Sequence, residues 1–187
     1  MALNAMRNDN ASRIAFDLME ELSPKCSKIA IGGSIRRREP EVNDIEIIAE
    51  PTNVPKRDLF GEQPHYPLLD YLREGFIARD GNGFEKRRMI KGDKRYFQFA
   101  LVEGIVLDLF VVLPPAQWGV MMVIRTGPED FSKRCVTQSP GGLMKPGYVC
   151  SEVAVRDQYS RKIIPMATEE DFFKFMGMDF IEPWKRK

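Results

Sequence analysis

Between Lys28 and Ala49 the chain reads KIAIGGSIRRREPEVNDIEIIA, and few folds accommodate all the parts of that segment. Lys28 to Ile31 is a short β-rich apolar run that stops at the turn Gly32-Gly33-Ser34. Asp44 to Ala49 is a second such run, in which Asp44 and Glu46 stand two residues apart. On a strand that spacing puts both acids on one face, with backbones roughly 7 Å apart. Their side chains can then converge on a pair of Mg²⁺ ions about 3.5 to 4 Å apart. The turn offers backbone N–H groups and a hydroxyl near an expected helix start, and Arg36, Arg37 and Arg38 add positive charge beside it. Such a setting favours a phosphate. Each part alone is commonplace as a solvated strand edge, an ordinary turn or an exposed arginine face. Their combination and spacing carry the information.

A third acid completes the pattern. From Arg95, RYFQFALVEGIVLDLFVVLPP reads as two strands joined at Glu103-Gly104, and Asp108 is the only acid in the apolar run Ile105 to Leu113. An unpaired carboxylate among Val, Leu and Phe is costly to bury, so Asp108 belongs at a cleft edge or beside something cationic. If Asp44, Glu46 and Asp108 meet within about 4 Å, each pair repels by roughly 4 kcal/mol at an effective dielectric of 20, and divalent cations are needed to keep all three ionised. Oxygen ligands of this kind suit Mg²⁺ or Mn²⁺.

Net charge cannot supply a long-range pull on nucleic acid, because 28 Lys and Arg face 27 Asp and Glu for a net +1. Local clusters must do it, and Lys86 to Arg95 holds six basic residues. The cysteines Cys26, Cys135 and Cys150 are odd in number and lack zinc-type pairing, which points to a reduced, intracellular protein with no disulfide framework. An apolar signal core and a membrane-spanning run are both absent from the sequence. With 187 residues and 43% hydrophobic content the chain can bury a sizeable core, in one domain or two small ones.

Ala11 to Leu22 predicts a helix with Ile14, Ala15, Leu18 and Leu22 on one face, Asn10 or Ser12 as N-cap and Pro24 as stop. Pro51 to Pro67 reads as an exposed loop. A helix over Leu68 to Ala78 would turn Leu68, Leu69, Leu72 and Phe76 inward and close at Asp80-Gly81-Asn82-Gly83. The Pro114-Pro115 hinge sets the expected boundary between residues 1–113 and 114–187, after which turns and short elements are expected through Gly147. Thr168-Glu169-Glu170 reads as a capping start for a short helix from Asp171 to Met176, with Gly177 at its end. Met121, Met122, Phe172, Phe173 and Phe175 read as core, Trp118 and Trp184 as buried anchors, and His65 as a surface residue.

On these residues the chain resembles the family X DNA polymerases, the DNA polymerase β-like nucleotidyltransferases. GGSIRRREPEVNDIEII is similar to that family's Gly-Ser-x-Arg-Arg segment and first acid pair, including the ten-residue step from Ser34 to Asp44. MIKGDKRYFQFAL resembles its lysine-glycine strand, and VLDLFVV the strand of the third acid. IRTGPEDF resembles the Thr-Gly turn of the thumb, and TEEDFFKFMGMDFIEPWKRK the closing segment. The resemblance implies an α+β fold: a palm with a mixed β-sheet flanked by helices, and a small C-terminal thumb.

It further implies that Asp44, Glu46 and Asp108 hold two Mg²⁺ ions, with Mn²⁺ as a substitute. Ser34, Arg37 and the Gly33 backbone would bind the triphosphate of a nucleoside triphosphate, and Thr126 and Gly127 would line its sugar and base. Lys91, Lys94 and Arg95 would face a DNA primer or gapped DNA, or RNA. The implied activity is transfer of nucleotides to a nucleic-acid 3′-hydroxyl with release of pyrophosphate, as in short gap filling or end extension during DNA repair, by a monomer. The same fold acting on tRNA, a protein hydroxyl or a small molecule, and a catalytically silent binding module, are the alternatives.

Departures from the family pattern carry their own expectations. Glu46 stands where the family usually has Asp, one methylene shorter, which bears on metal spacing and on the choice between Mg²⁺ and Mn²⁺. Ile124-Arg125 replaces a usual Tyr-Phe pair, so discrimination against a ribose 2′-hydroxyl is expected to be weak. With 27 residues before the first strand, the family's lyase and helix-hairpin-helix regions have no counterpart in this stretch. Weak DNA binding and few additions per encounter are expected.

Overall fold

The computed structural model describes residues 5–76 and 87–187. Along the chain come strand β1 (Met6–Arg7), helix α1 (Asn8–Leu22), β2 (Cys26–Ile31), the single helical turn α2 (Gly33–Arg36), β3 (Glu41–Val42) and β4 (Asp44–Pro51). Next are β5 (Lys56–Asp58), β6 (Gly61–Gln63), α3 (Pro67–Asp70) continued by a π turn at Tyr71–Gly75, β7 (Arg87–Gly92), β8 (Tyr96–Leu101) and β9 (Val106–Val111). Helices α4 (Trp118–Thr126) and α5 (Glu129–Val136), strands β10 (Tyr148–Ser151) and β11 (Ala154–Asp157), helix α6 (Glu169–Met176) and a 3-10 turn at Pro183–Lys185 follow. Packing sorts them into two units. One comprises Met1–Ile31 and Pro40–Val111, the other Gly32–Glu39 and Val112–Lys187.

The first unit is built on a five-stranded mixed sheet of order β2-β4-β9-β8-β7, in which only β4 and β9 run parallel. Period-2 patterning gives each central strand two faces. Phe97, Phe99 and Leu101 of β8 are buried, while Tyr96, Gln98 and Ala100 between them are half-buried. Ile45 and Ile47 of β4 and Leu107 and Leu109 of β9 are fully buried. Helix α1 packs on β2 and β4 through Ala11, Ala15, Leu18 and Leu22. Leu68, Leu69, Leu72 and Phe76 all turn inward, and the Phe76 ring meets Phe99 edge-on at 4.7 Å.

Several local expectations give way to longer-range contacts. Helix α1 begins at Asn8, before either predicted N-cap, because β1 pairs with β3 and the Asn8 amide donates to the Pro40 carbonyl at 3.0 Å. Ser12 lies inside the helix and donates to Asn8 Oδ1, and Ile14 is half-buried while Ala11 takes the core position. Within Pro51 to Pro67, which is exposed over residues 52–60, β5 and β6 form a hairpin, Lys56 opposite Gln63. His65 pairs with Asp70 at 3.4 Å. The expected helix end at Ala78, the turn at Asp80-Gly81-Asn82-Gly83, and Lys86 lie outside the described residues.

The second unit is mainly helical. Val120 and Val123 of α4, Phe131 and Cys135 of α5, Val155 of β11, and Phe172, Phe173 and Met176 of α6 form its core with Met144 and Met166. Helices α4 and α5 occupy a stretch whose sequence promised only turns and short elements. The α4 run GVMMVI is apolar on every side and lacks the stripe that marks a surface helix, because the helix is buried almost all round. The predicted cap of α6 is present: Thr168 Oγ1 accepts from the Asp171 amide, the Asp171 carboxylate accepts from the Thr168 amide, and Gly177 ends the helix at φ 74°. Trp184 departs from the expected buried anchor. It is 43% exposed, with the Arg38 guanidinium 3.7 Å above its ring.

Burial pushes the thiols of Cys26, Cys135 and Cys150 up to about 11, so none is a ready nucleophile. No helix among the described residues is long and apolar enough to cross a membrane.

Candidate functional site

Asp44 and Glu46 open β4 as alternate residues, and parallel pairing sets Glu46 directly opposite Asp108 and Asp44 opposite Val106. All three carboxylates are half-buried, on strands whose apolar residues are buried. The register continues across the sheet from Asp108 to Gln98 on β8 and from Gln98 to Lys91 on β7. Glu46, Asp108, Gln98 and Lys91 therefore form one row over four strands, at spacings of about 4.8 Å. Lys91 is exposed, on the edge strand. Lys94 is exposed in the β7–β8 turn, where Asp93 Oδ1 accepts from the amides of Arg95 and Tyr96 at 2.6 and 2.9 Å.

The cost of placing Asp108 in an apolar run is met by neighbouring strand side chains. Its Oδ1 accepts from Tyr96 Oη and from Gln98 Nε2, both at 2.8 Å. The Tyr96 ring is stacked on Phe110 at 5.1 Å, which steers its hydroxyl toward Asp108. Sequence reasoning missed both donors, although their alternation on the strand facing the third acid was a usable signal. Three carboxylates on one face of two paired strands fit a hard divalent cation in donor type and register. As the side chains lie, no three His, Cys, Asp or Glu among the described residues are gathered closely enough to enclose one.

The other predicted residues lie in the second unit. Gly33 has φ 57°, a backbone conformation that suits glycine, and it starts the turn of helix that carries Ser34, Arg36 and Arg37. The Ser34 hydroxyl oxygen is buried without a hydrogen-bond partner. An orphaned buried hydroxyl is destabilising unless a ligand satisfies it, and a phosphate oxygen fits that need. Arg37 Nη1 donates to the Thr126 carbonyl at 2.6 Å, while its Nε stands 3.5 Å from Glu39 Oε1, an ion pair outside hydrogen-bond geometry.

Thr126 is fully buried and its hydroxyl accepts from Arg36 Nη1, so its side chain serves the turn itself. Gly127 follows at φ 70°, and a Cβ there would stand 2.9 Å from Arg37 Nη1. The arginines and the Thr-Gly turn are thus fitted to one another. Arg36 and Arg186 both pair with Glu169, which links the turn to α6 and to the end of the chain.

Comparison with known proteins places the fold. The fold is that of polymerase β: Leishmania infantum polymerase beta, solved as a ternary P/T complex, superposes with a TM-score of 0.67 at 14% identity, over 98% of this chain and 77% of that one. Residues 122–187 match the family described as DNA polymerase beta thumb. Rat DNA polymerase lambda is 26% identical over 168 residues, 82% of this chain, and this chain spans 28% of that protein's length. The chain thus has an α+β fold shared with polymerase β, and its residues 122–187 are similar to the polymerase β thumb.

Proposed function

We propose that this chain is a metal-dependent nucleotidyltransferase that adds nucleotides from a (d)NTP to a nucleic-acid 3′-hydroxyl and releases pyrophosphate, in short gap filling or end extension of DNA. The observation that carries the reading is the register of β4 on β9, which sets Glu46 beside Asp108 on the face that also carries Asp44. Asp44, Glu46 and Asp108 would hold Mg²⁺ or Mn²⁺. Such ions, when bound, acidify the attacking hydroxyl and neutralise charge on the triphosphate.

The remaining roles belong to the chain's own groups. Ser34 donates its unpartnered hydroxyl to a phosphate oxygen, and Arg37 adds charge. The Thr126–Gly127 turn holds Arg37 in place through the Thr126 carbonyl. Lys91 and Lys94, both exposed, meet a nucleic-acid backbone, with Arg95 beside them.

The test is incorporation on gapped and primed DNA with Mg²⁺ or Mn²⁺, comparing the parent with Asp108→Ala. The parent extends the primer and the variant does not. Equal extension by both sinks the metal assignment. Transfer only to tRNA, a protein hydroxyl or a small molecule in a parallel acceptor panel moves the chain to the non-DNA reading.

A further inference from the structure

The geometry points to Tyr96 and Gln98 as positioning residues that set the carboxyl plane of Asp108 for metal binding. This rests on the metal-holding role proposed above for Asp108. Side chains two apart on a strand share a face, so the neighbours of Asp108 on its own face of β9 are Val106 and Phe110. Both are apolar, and β9 itself therefore supplies no side-chain donor on that face. On β4 the opposing residue is another acid, Glu46. Donors come from β8, where Gln98 lies directly opposite Asp108, and Tyr96 opposite Phe110.

Both donors address the same oxygen. Tyr96 Oη and Gln98 Nε2 each stand 2.8 Å from Oδ1, and neither bonds Oδ2. Two donors converging on one oxygen from a neighbouring strand leave the carboxyl group little freedom about its last torsion. They also satisfy Oδ1 without a positive charge that would compete with a cation. With Oδ1 so held, the orientation of Oδ2 is preset, as outer partners of metal ligands commonly arrange. The Tyr96 ring, stacked on Phe110, is in turn held by packing that does not involve its hydroxyl.

The experiment titrates Mn²⁺ alone into the full chain, following the EPR signal of the free ion, for the parent, Tyr96→Phe, Gln98→Met, their double variant and Asp108→Asn. Tyr96→Phe keeps the ring on Phe110, and Gln98→Met keeps the length of the side chain. Melting temperature is measured alongside. The expected result is a Mn²⁺ half-saturation raised about tenfold or more in the double variant, less in each single, with melting unchanged. Parent-like binding in the double variant, while Asp108→Asn loses it, overturns the positioning role and leaves the metal reading intact. Affinity that falls only in step with melting temperature overturns it too. Asp108→Asn behaving like the parent removes the metal reading and the positioning role together.

Discussion

Arg36 grips Glu169 through both carboxylate oxygens, with Nη1 at 3.2 Å from Oε1 and Nη2 at 2.8 Å from Oε2. Arg186 approaches the same carboxylate from the chain's end, Nη1 to Oε1 at 2.7 Å, with its own side chain fully buried near the rings of Phe131, Phe173 and Phe180. One buried acid thus pairs with two guanidinium groups. It joins α2, which carries Ser34, to α6 and the terminal turn.

Removing that acid strands both arginines. Glu169→Gln keeps the volume and lowers stability by about 3 to 5 kcal/mol, the range for breaking a buried pair, as read by urea unfolding. A loss below about 1 kcal/mol shows instead that solvent reaches the arginines.

Ser34→Ala separates binding from stability. The hydroxyl oxygen is buried and unpartnered, so its loss leaves stability unchanged or slightly raised. If it bonds a phosphate, a charge-assisted bond of about 1.5 to 3 kcal/mol disappears and nucleotide KM rises roughly tenfold or more. Unchanged KM refutes the phosphate role.

Gly119 admits α4 close to Thr168, where an added Cβ would fall 1.9 Å from the Thr168 carbonyl oxygen. Gly119→Ala should therefore destabilise the chain by about 1 to 3 kcal/mol or more, through overpacking against backbone that has no rotamer to change. Thermal melting of the variant checks this. A gain, as for an ordinary helical glycine, contradicts the close approach.

The sheet unit carries its own pH signature. Burial disfavours the Glu21 charge, but hydrogen bonds from Arg87 and Tyr71 outweigh it and hold Glu21 below its ordinary 4.5. A lowered carboxyl contributes stability above pH 4.5 that is lost as pH falls through the folded value. Burial and the bond to Glu21 raise Tyr71 from 10 to about 12, so its contribution is complete below pH 10 and lost as pH rises toward 12. Urea midpoints across both windows should flatten at the acid end in Glu21→Gln and at the alkaline end in Tyr71→Phe. A slope identical to the parent's in both variants refutes the assignment.

Sugar choice tests the Ile124-Arg125 departure. If the missing aromatic pair leaves the 2′-hydroxyl unopposed, ribonucleotides are used within about 100-fold of deoxyribonucleotides in kcat/KM. Stronger rejection shows that another group excludes ribose.

Much of the site was legible because its signals are local. β-rich apolar runs marked β4, β8 and β9, the turn glycines marked the start of α2, and the Thr168 box marked α6. The N-cap of α1 misled because Pro40, distant in sequence, supplies the acceptor. Helix α4 was invisible because full burial removes the amphipathic stripe on which helix detection depends.

The sequence alone determined which residues carry charge, which alternate, and where glycine permits a left-handed turn, since these follow from side-chain chemistry and short-range sterics. Only the tertiary structure decided their partners. It chose β9 as the parallel neighbour of β4, supplied Tyr96 and Gln98 to Asp108, packed Gly32–Glu39 with the later unit, and buried Glu169 between two arginines. Strand register and burial arise from contacts between residues far apart in the chain, and no local window contains them.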